Sequence, residues 1–141
     1  MMYIFVNNMD MEIPRGNSRE DTKARRQIIK AYYNKWFSAN PDQVVRNKAL
    51  HADIHVKYSS MNETSGRASA SYESTMAVFH LSDILEKATV TSIVAPKPRD
   101  NNQKAFSKIY KMKYGKYKLV VGLQKSTGHL VQYYVGGGDK K

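Results

Sequence analysis

The chain has 141 residues, with 23 lysines and arginines against 12 aspartates and glutamates, for a formal net charge of +11. This length is typical of one domain, and the excess of positive charge favours a polyanionic partner such as RNA, DNA or acidic lipid. The absence of cysteine excludes disulfide scaffolds, thiolate zinc sites, iron–sulfur clusters and cysteine nucleophiles. No apolar run approaches the length of a membrane span, so we expect a cytoplasmic protein with no membrane partner.

The first third of the chain predicts an arm followed by a long helix. Residues 1–17 combine a short apolar patch with turn-forming residues, which indicates an N-terminal arm. Ser18 is the expected N-cap of a helix of about five turns, which Asn40 and Pro41 end. On the side opposite its apolar residues, this helix carries a row of four cations: Arg19, Lys23, Arg26 and Lys30.

The middle of the chain predicts short elements. Residues 43–48 indicate a short helical turn within a connector, and the alternating polarity of residues 54–58 is typical of a half-buried strand. Residues 59–71 are small and polar, which favours a loop with a turn or hinge at Gly66. The apolar pattern of residues 72–87 predicts one bent helix or two consecutive helices.

The last third of the chain predicts an antiparallel sheet with short turns. The predicted strands cover residues 89–95, 106–114, 117–125 and 129–135. The glycine-rich residues 136–141 indicate a flexible tail. We therefore expect residues 18–135 to form a single α+β domain, with N-terminal helices packed on a C-terminal antiparallel sheet of about four strands.

Two parts of the sequence are distinctive. The first consists of residues 63–78 followed by residues 81–88, and the second of residues 117–122 together with residues 131–134. Both resemble segments of small uncharacterised proteins carried by mobile elements of Bacteroidota, and the likeness extends over residues 28–135. The resemblance implies a mobile-element protein and names no reaction.

The order of helices followed by a sheet is also similar, more distantly, to the barnase, EndoU, colicin and RelE-like ribonuclease superfamily. That resemblance implies a barnase-like or RelE-like arrangement and metal-free RNA cleavage. In this reaction a base activates the ribose 2′-hydroxyl, cations stabilise the developing phosphate charge and an acid protonates the leaving oxygen. Neither a metal nor a cofactor is implied.

The sequence contains the side-chain types that such a reaction needs. Glu63 is the candidate base, Lys118 a candidate cation, and His80 and His129 are the candidate acids. Each carboxylate or histidine has a structural alternative, since such groups also cap helices or occupy turns. Further residues are candidates for nucleic-acid contacts: Arg67, Lys57, Lys108, Lys111, Lys113, Lys116, Gln132 and Tyr134.

Positive charge is concentrated in two segments. Residues 15–48 hold nine cations and three acids, and residues 97–125 hold nine cations and one acid. Near the end of the chain tyrosines alternate with lysines, a pattern that suits unpaired bases beside phosphates. The structural alternative is a lysine-rich face that prevents edge association, with half of these tyrosines in the core. Strict alternation also predicts that Gln132 and Tyr134 share one side of the last strand.

These observations predict a nucleic-acid-binding protein of a mobile element, with metal-independent RNA cleavage as a further hypothesis. The alternative is a non-enzymatic accessory or protein-interaction module of a mobile element. A toxin-like effector that requires an immunity partner is a third hypothesis. The expected partners are therefore RNA or DNA, and a mobile-element or immunity protein.

Overall fold

The computed structural model describes residues 3–6 and 9–137 of the chain. The α-helices in this part are α1 (Arg19–Ala39), α2 (Tyr58–Ala68), α3 (Tyr72–Val78) and α4 (Leu81–Lys87). The strands are β1 (Tyr3–Val6), β2 (Met9–Glu12), β3 (Val44–Asn47), β4 (Ala52–His55), β5 (Thr89–Val94), β6 (Phe106–Tyr114), β7 (Tyr117–Gln124) and β8 (Leu130–Gly136). Within these described ranges, none of the helices combines the length and apolar character needed to cross a bilayer.

The main sheet is mixed and has the strand order β3-β4-β8-β7-β6-β5. The predicted meander from β5 to β8 is confirmed, and every neighbouring pair is antiparallel except β4 and β8. The described sheet has six strands, which corrects the prediction of about four, and the barnase-like or RelE-like arrangement is not confirmed. The helical turn predicted over residues 43–48 is wrong, because β3 pairs with β4 there. A strand this short depends on that pairing rather than on its own sequence pattern.

The predicted ends of the chain are only partly described. Within the arm of residues 1–17, β1 and β2 pair as an antiparallel hairpin. Gly136 belongs to β8, whereas residues 138–141 of the expected tail lie outside the described residues.

Helix α1 begins and ends as the sequence predicts. The Ser18 hydroxyl accepts a hydrogen bond from the Asp21 N–H at 3.0 Å, and Asn40 is the C-cap. Its buried apolar side chains are Ile28, Ile29, Tyr33 and Trp36. The N-cap satisfies one of the amide groups that the first turn leaves unpaired, and the apolar side packs into the main core, chiefly against α2.

Helix α1 also buries an arginine that the apolar pattern did not identify. The guanidinium of Arg25 is fully buried and donates to the carbonyls of Ser69 at 2.8 Å, Pro14 at 2.9 Å and Gly16 at 2.7 Å. These carbonyls belong to the segment that enters α1 and to the end of α2. Arg25 therefore ties both segments to the helix through charge-assisted hydrogen bonds.

Helix α2 replaces the small polar loop that the sequence predicts, and Tyr58 begins this helix instead of ending a strand. The Ser60 hydroxyl accepts from the Lys57 N–H at 2.9 Å at its first turn. Its buried side consists of small or hydroxyl-bearing residues and one methionine: Ser60, Met61, Thr64, Ser65 and Ala68. The polar composition that suggested a loop is therefore the composition of a helix packed closely on a strand.

The hydroxyls of α2 cover the part of β8 that β4 does not reach. Strand β4 pairs with β8 only at Leu130 and Val131. Beyond that point the Ser60 hydroxyl donates to the Gln132 carbonyl at 2.6 Å, and Thr64 Oγ1 accepts from the Val135 N–H at 3.3 Å. Backbone groups that would be unpaired at a sheet edge are thus satisfied by helix side chains.

The two faces of the sheet have different environments. The helices cover one face with the main apolar core, which includes Ile29, Leu85 and Leu119. The opposite face, here called the outer face, carries a smaller apolar cluster of Phe106, Ile109, Val131 and Tyr133. The outer face also carries Lys111, Lys113, Lys118 and Tyr134, which are described next.

Candidate nucleic-acid interface

A β-bulge in β8 determines which side chains reach the outer face. Val120 pairs with Tyr134 and the next residue, Val121, pairs with Gln132, so Tyr133 is the additional residue. Gln132 consequently faces the helices, whereas Tyr134 faces the outer side. The prediction that these two residues share one side is wrong, because alternation along a strand holds only while the pairing is regular.

The outer face carries a groove of about 610 Å³, which we call the basic groove. Its floor includes Lys111 and Lys113 of β6, Lys118 of β7 and Tyr134 of β8, and Arg67 of α2 forms part of its wall. Lys113 stands directly opposite Lys118 in the pairing of β6 with β7. Among the described residues that line the groove, four are cationic and none is acidic. The structure therefore brings together four of the predicted contact residues and Lys118, the candidate catalytic cation.

Arg67 connects this groove with Glu63. The carbon atom of its guanidinium lies 4.5 Å from the ring centroid of Tyr134 and 5.8 Å from that of Tyr133. Its Nη1 lies 3.6 Å from Glu63 Oε2, one helical turn earlier, where the Glu63 side chain is 18% exposed. Glu63 is therefore held in place from within α2, and it does not lie in the loop that the sequence predicts over residues 59–71.

Glu63 lines a second cavity of about 360 Å³, which we call the side cavity. Its apolar lining comes from Phe106, Val131 and Tyr133 of the outer cluster. Burial first, and then the negative charge of Glu63, raise the pKa of the Tyr133 hydroxyl, while hydrogen bonding to Gln103 lowers it. The Tyr133 hydroxyl therefore remains a hydrogen-bond donor beside the Glu63 carboxylate.

The two candidate acids lie in other surroundings. The imidazole of His129 stacks on that of His55, with ring centroids 4.0 Å apart and planes at 3°. His80 occupies the N-cap position of α4 and stacks on the ring of Tyr117 at 5.0 Å between centroids. Neither histidine is among the residues that line the side cavity with Glu63.

Three of the predicted lysine contacts are not among the residues that line the basic groove: Lys57, Lys108 and Lys116. The Lys57 amine donates to Gln124 Oε1 at 2.9 Å, beside the side cavity. Lys108 is three residues from Lys111 on β6, so the two side chains leave opposite faces of the strand. Lys116 lies in the turn between β6 and β7.

Gln132 is part of a buried hydrogen-bond network. Its side chain accepts from the Tyr33 hydroxyl at 2.9 Å and donates to Thr64 Oγ1 at 2.8 Å. Only 1% of Gln132 is exposed, and Thr64 is fully buried. Both ends of the amide are therefore satisfied inside the protein, which makes the side chain of Gln132 a structural group joining α1, α2 and β8.

The tyrosines of the C-terminal strands divide between the two faces. Four pack against the helix-covered core: Tyr110, Tyr114, Tyr117 and Tyr134. Tyr133 belongs to the outer cluster, and Tyr134 also packs against it. The tyrosines that alternate with lysines in the sequence therefore include both core tyrosines and outer-face tyrosines. Their spacing in the sequence does not distinguish the two groups.

Sequence reasoning missed the amide side chains around the side cavity. These are Asn62 of α2, Asn102 of a 3-10 turn between β5 and β6, and Gln124 at the end of β7. They are far apart in the chain and share no motif, so no sequence signal groups them. Across the described ranges, no cluster of three or more histidine, aspartate or glutamate side chains is placed to hold a metal ion.

Comparison with known proteins gives one family. The sequence model described as large polyvalent protein-associated domain 3 matches residues 21–131. This range covers nearly all of α1 and continues to the second residue of β8, and it includes Arg67, Lys111, Lys113 and Lys118. No curated protein and no solved structure gives a significant match.

Proposed function

The chain belongs to the large polyvalent protein-associated domain 3 family, and from this premise we propose that it binds RNA or DNA through the basic groove. Membership supports the expected association with mobile elements. The family description names no ligand and no reaction. The proposal therefore depends on the chemistry of the groove.

The gathering of Arg67, Lys111, Lys113 and Lys118 around Tyr134 is the observation that carries the proposal. Amine and guanidinium groups donate strong hydrogen bonds to phosphate oxygens, and an aromatic ring offers a face to a base. Lys113 and Lys118 are directly opposite each other on paired strands, where like charges repel. A phosphate between them would lower that repulsion.

Fluorescence anisotropy of labelled RNA and DNA oligonucleotides tests the groove. Four phosphate contacts at about 0.7 per contact predict that log K falls with log salt concentration at a slope of about −3 for a single strand. In the variant Lys111→Gln/Lys113→Gln/Lys118→Gln we expect most of the affinity to be lost. The magnitude of the slope of log K against log salt concentration should decrease by about two, because three phosphate contacts are removed.

A matched variant separates the groove from general charge attraction. Lys35→Gln/Lys48→Gln/Lys97→Gln removes the same charge at exposed positions that do not line the groove. We expect this variant to bind nearly as tightly as the wild type. Equal losses in the two triple variants would contradict the proposal, and a wild type that binds no nucleic acid at low salt would favour the protein-interaction role.

Metal-independent RNA cleavage is a second candidate function, supported by the position of Glu63 beside Arg67. A carboxylate next to a bound strand can accept the proton of the ribose 2′-hydroxyl, and a guanidinium stabilises charge that develops on the phosphate. Lys118 would supply a further cation from the groove floor.

Incubation of labelled RNA with the protein in EDTA tests cleavage. We expect Glu63→Gln to abolish any metal-independent cleavage, whereas groove binding persists. If His80 or His129 supplies the acid, then His80→Ala or His129→Ala also abolishes cleavage. Because both histidines lie in other surroundings than Glu63, we expect both variants to retain cleavage. Cleavage that survives Glu63→Gln would remove Glu63 from the proposed reaction.

A further inference from the structure

The basic groove and the side cavity share an apolar floor. Phe106, Val131 and Tyr133 line the side cavity and form most of the outer cluster. Val120 and Tyr134 line the basic groove and pack against the same cluster. The two openings are therefore parts of one surface rather than separate sites.

Two residue pairs join the openings directly. Glu63 lines the side cavity, Arg67 lines the basic groove, and 3.6 Å separates their charged atoms. Tyr133 and Tyr134 are consecutive in β8, and the first lines the cavity while the second lines the groove. A ligand held by the groove cations thus lies beside the side cavity.

The chemistry of the side cavity suits a flat apolar group with a polar edge. Its floor is aromatic and aliphatic, while Asn62, Asn102 and Glu63 present hydrogen-bonding groups. Gln124 Oε1 already accepts from the Lys57 amine at 2.9 Å and from the hydroxyl of Thr127 at 2.8 Å, which orients its Nε2 as a donor. A volume of about 360 Å³ lies within the range of small-molecule sites, about 300–1,000 Å³.

We propose that the side cavity accepts an unpaired nucleobase of a strand whose phosphates lie in the basic groove. The inference rests on the proposed function and specifies its substrate class as single-stranded nucleic acid. A base in a duplex is stacked and paired, so it cannot enter a cavity without leaving the helix. A single strand presents its bases unpaired, and aromatic floors are common in proteins that bind such strands.

Filling the cavity without changing charge tests the inference. Ala105 lines the side cavity and is exposed, so Ala105→Trp places a large ring there while every cation remains. We expect a loss of about tenfold in affinity for a single-stranded oligonucleotide, the size of one base contact, with the salt slope unchanged. Ala39→Trp, at the exposed end of α1, is the matched control and should bind like the wild type.

Nucleosides provide a probe that does not need the groove, because they carry no phosphate. We expect adenosine, guanosine, cytidine or uridine at millimolar concentration to shift the backbone amide resonances of Ala105, Phe106 and Val131. The same shifts should persist in Lys111→Gln/Lys113→Gln/Lys118→Gln and disappear in Ala105→Trp. Thermal unfolding of each variant confirms that it is folded.

The outcomes separate the two proposals. If oligonucleotides bind through the lysines but Ala105→Trp binds them as tightly as the wild type and no nucleoside produces shifts, the cavity inference is overturned and the groove proposal stands. If oligonucleotides do not bind to the wild type, the proposed function fails together with the single-strand assignment. Nucleoside shifts confined to the cavity would then support base binding alone.

Discussion

Arg67 lies over the ring of Tyr134, with its guanidinium carbon 4.5 Å from the ring centroid, while its Nη1 lies 3.6 Å from Glu63 Oε2. A contact of a cation with an aromatic face contributes about 0.5–1 kcal/mol at an exposed site, and a half-exposed ion pair contributes less than about 1 kcal/mol. The side chain of Arg67 is 51% exposed, so its effect on stability is small. Its position between the basic groove and the side cavity instead suggests a role in ligand binding.

Replacing Arg67 distinguishes its charge from its planar shape. Lysine keeps the charge but cannot stack as a guanidinium does, whereas alanine loses both. We expect Arg67→Ala to weaken oligonucleotide binding more than Arg67→Lys does, and the free energy of unfolding to change by less than about 1 kcal/mol in either variant. Anisotropy and urea unfolding measure the two effects. Equal binding losses would show that stacking on Tyr134 adds nothing beyond charge.

The buried Arg25 is expected to be a major contributor to stability. In Arg25→Met the carbonyls of Ser69, Pro14 and Gly16 lose their donors, and the carbonyl of Ser69 loses it in the buried interior. Leaving a buried acceptor unsatisfied costs about 1–3 kcal/mol, so we expect a loss of about 1–3 kcal/mol in the free energy of unfolding. Urea denaturation followed by circular dichroism measures it.

Arg26→Met is the matched control for Arg25→Met, because it makes the same change at the next residue. Arg26 is only partly buried and belongs to the cation row of α1. We expect a change within about 0.5 kcal/mol, as for most surface substitutions. A similar loss in both variants would mean that the carbonyl contacts of Arg25 are not what stabilises the fold.

Thr64 is expected to stabilise the junction of α2 with β8 through its hydroxyl alone. Thr64→Val preserves the shape but leaves the Val135 N–H and the Gln132 amide without this acceptor. We expect a destabilisation of about 1–3 kcal/mol and faster hydrogen exchange at the Val135 amide. Thr89→Val, in an exposed position of β5, should change stability by less than about 0.5 kcal/mol. Unchanged exchange at Val135 in Thr64→Val would argue against this role.

The stacked imidazoles of His55 and His129 predict a dependence of stability on pH. Burial, followed by repulsion from His129 and from Lys57, lowers the pKa of His55 below its ordinary value of 6.5, and Asp53 opposes this shift. The folded protein therefore binds the His55 proton less tightly than the unfolded chain does. The contribution of neutral His55 to stability is fully present above the ordinary pKa and is lost as the pH falls through the lowered one.

Nuclear magnetic resonance titration of the His55 imidazole checks this prediction. In His129→Ala we expect the pKa of His55 to rise, because one source of repulsion is gone, and still to remain below its ordinary value, because burial is the main cause. The loss of stability on acidification should become smaller in the same variant. A pKa of His55 at or above 6.5 in the wild type would contradict the prediction.

How well each part of the fold could be predicted depends on the range of the interactions that form it. Helix α1 is long, periodic and capped by Ser18, so local interactions indicate it strongly. The strands β6, β7 and β8 follow one another through short turns, and residues 95–105 connect β5 to β6. By contrast, β3 is four residues long and forms against β4, and the serine-rich α2 is stabilised by contacts with β8.

In the candidate site, too, some features could be predicted from the sequence and others depend on contacts between distant residues. Composition and spacing predict a cationic C-terminal region, and Lys111, Lys113 and Lys118 do share one groove. Gln132 and Tyr134 lie on opposite faces of the sheet because of a β-bulge. The bulge arises from the pairing of two strands, so the alternating pattern of one strand does not predict it. The side cavity is lined by α2, residues 102–106, the end of β7 and β8, and three of these four segments are distant from one another in the chain.

The amino-acid sequence alone determined the excess of positive charge, the long helix α1 and the meander from β5 to β8, because these follow from composition and from contacts between residues close in the chain. The tertiary structure decided that Arg67 of α2 stands over Tyr134 of β8 and that Glu63 faces a cavity beside the groove. These positions result from helix packing and strand register, which are set by contacts between distant residues.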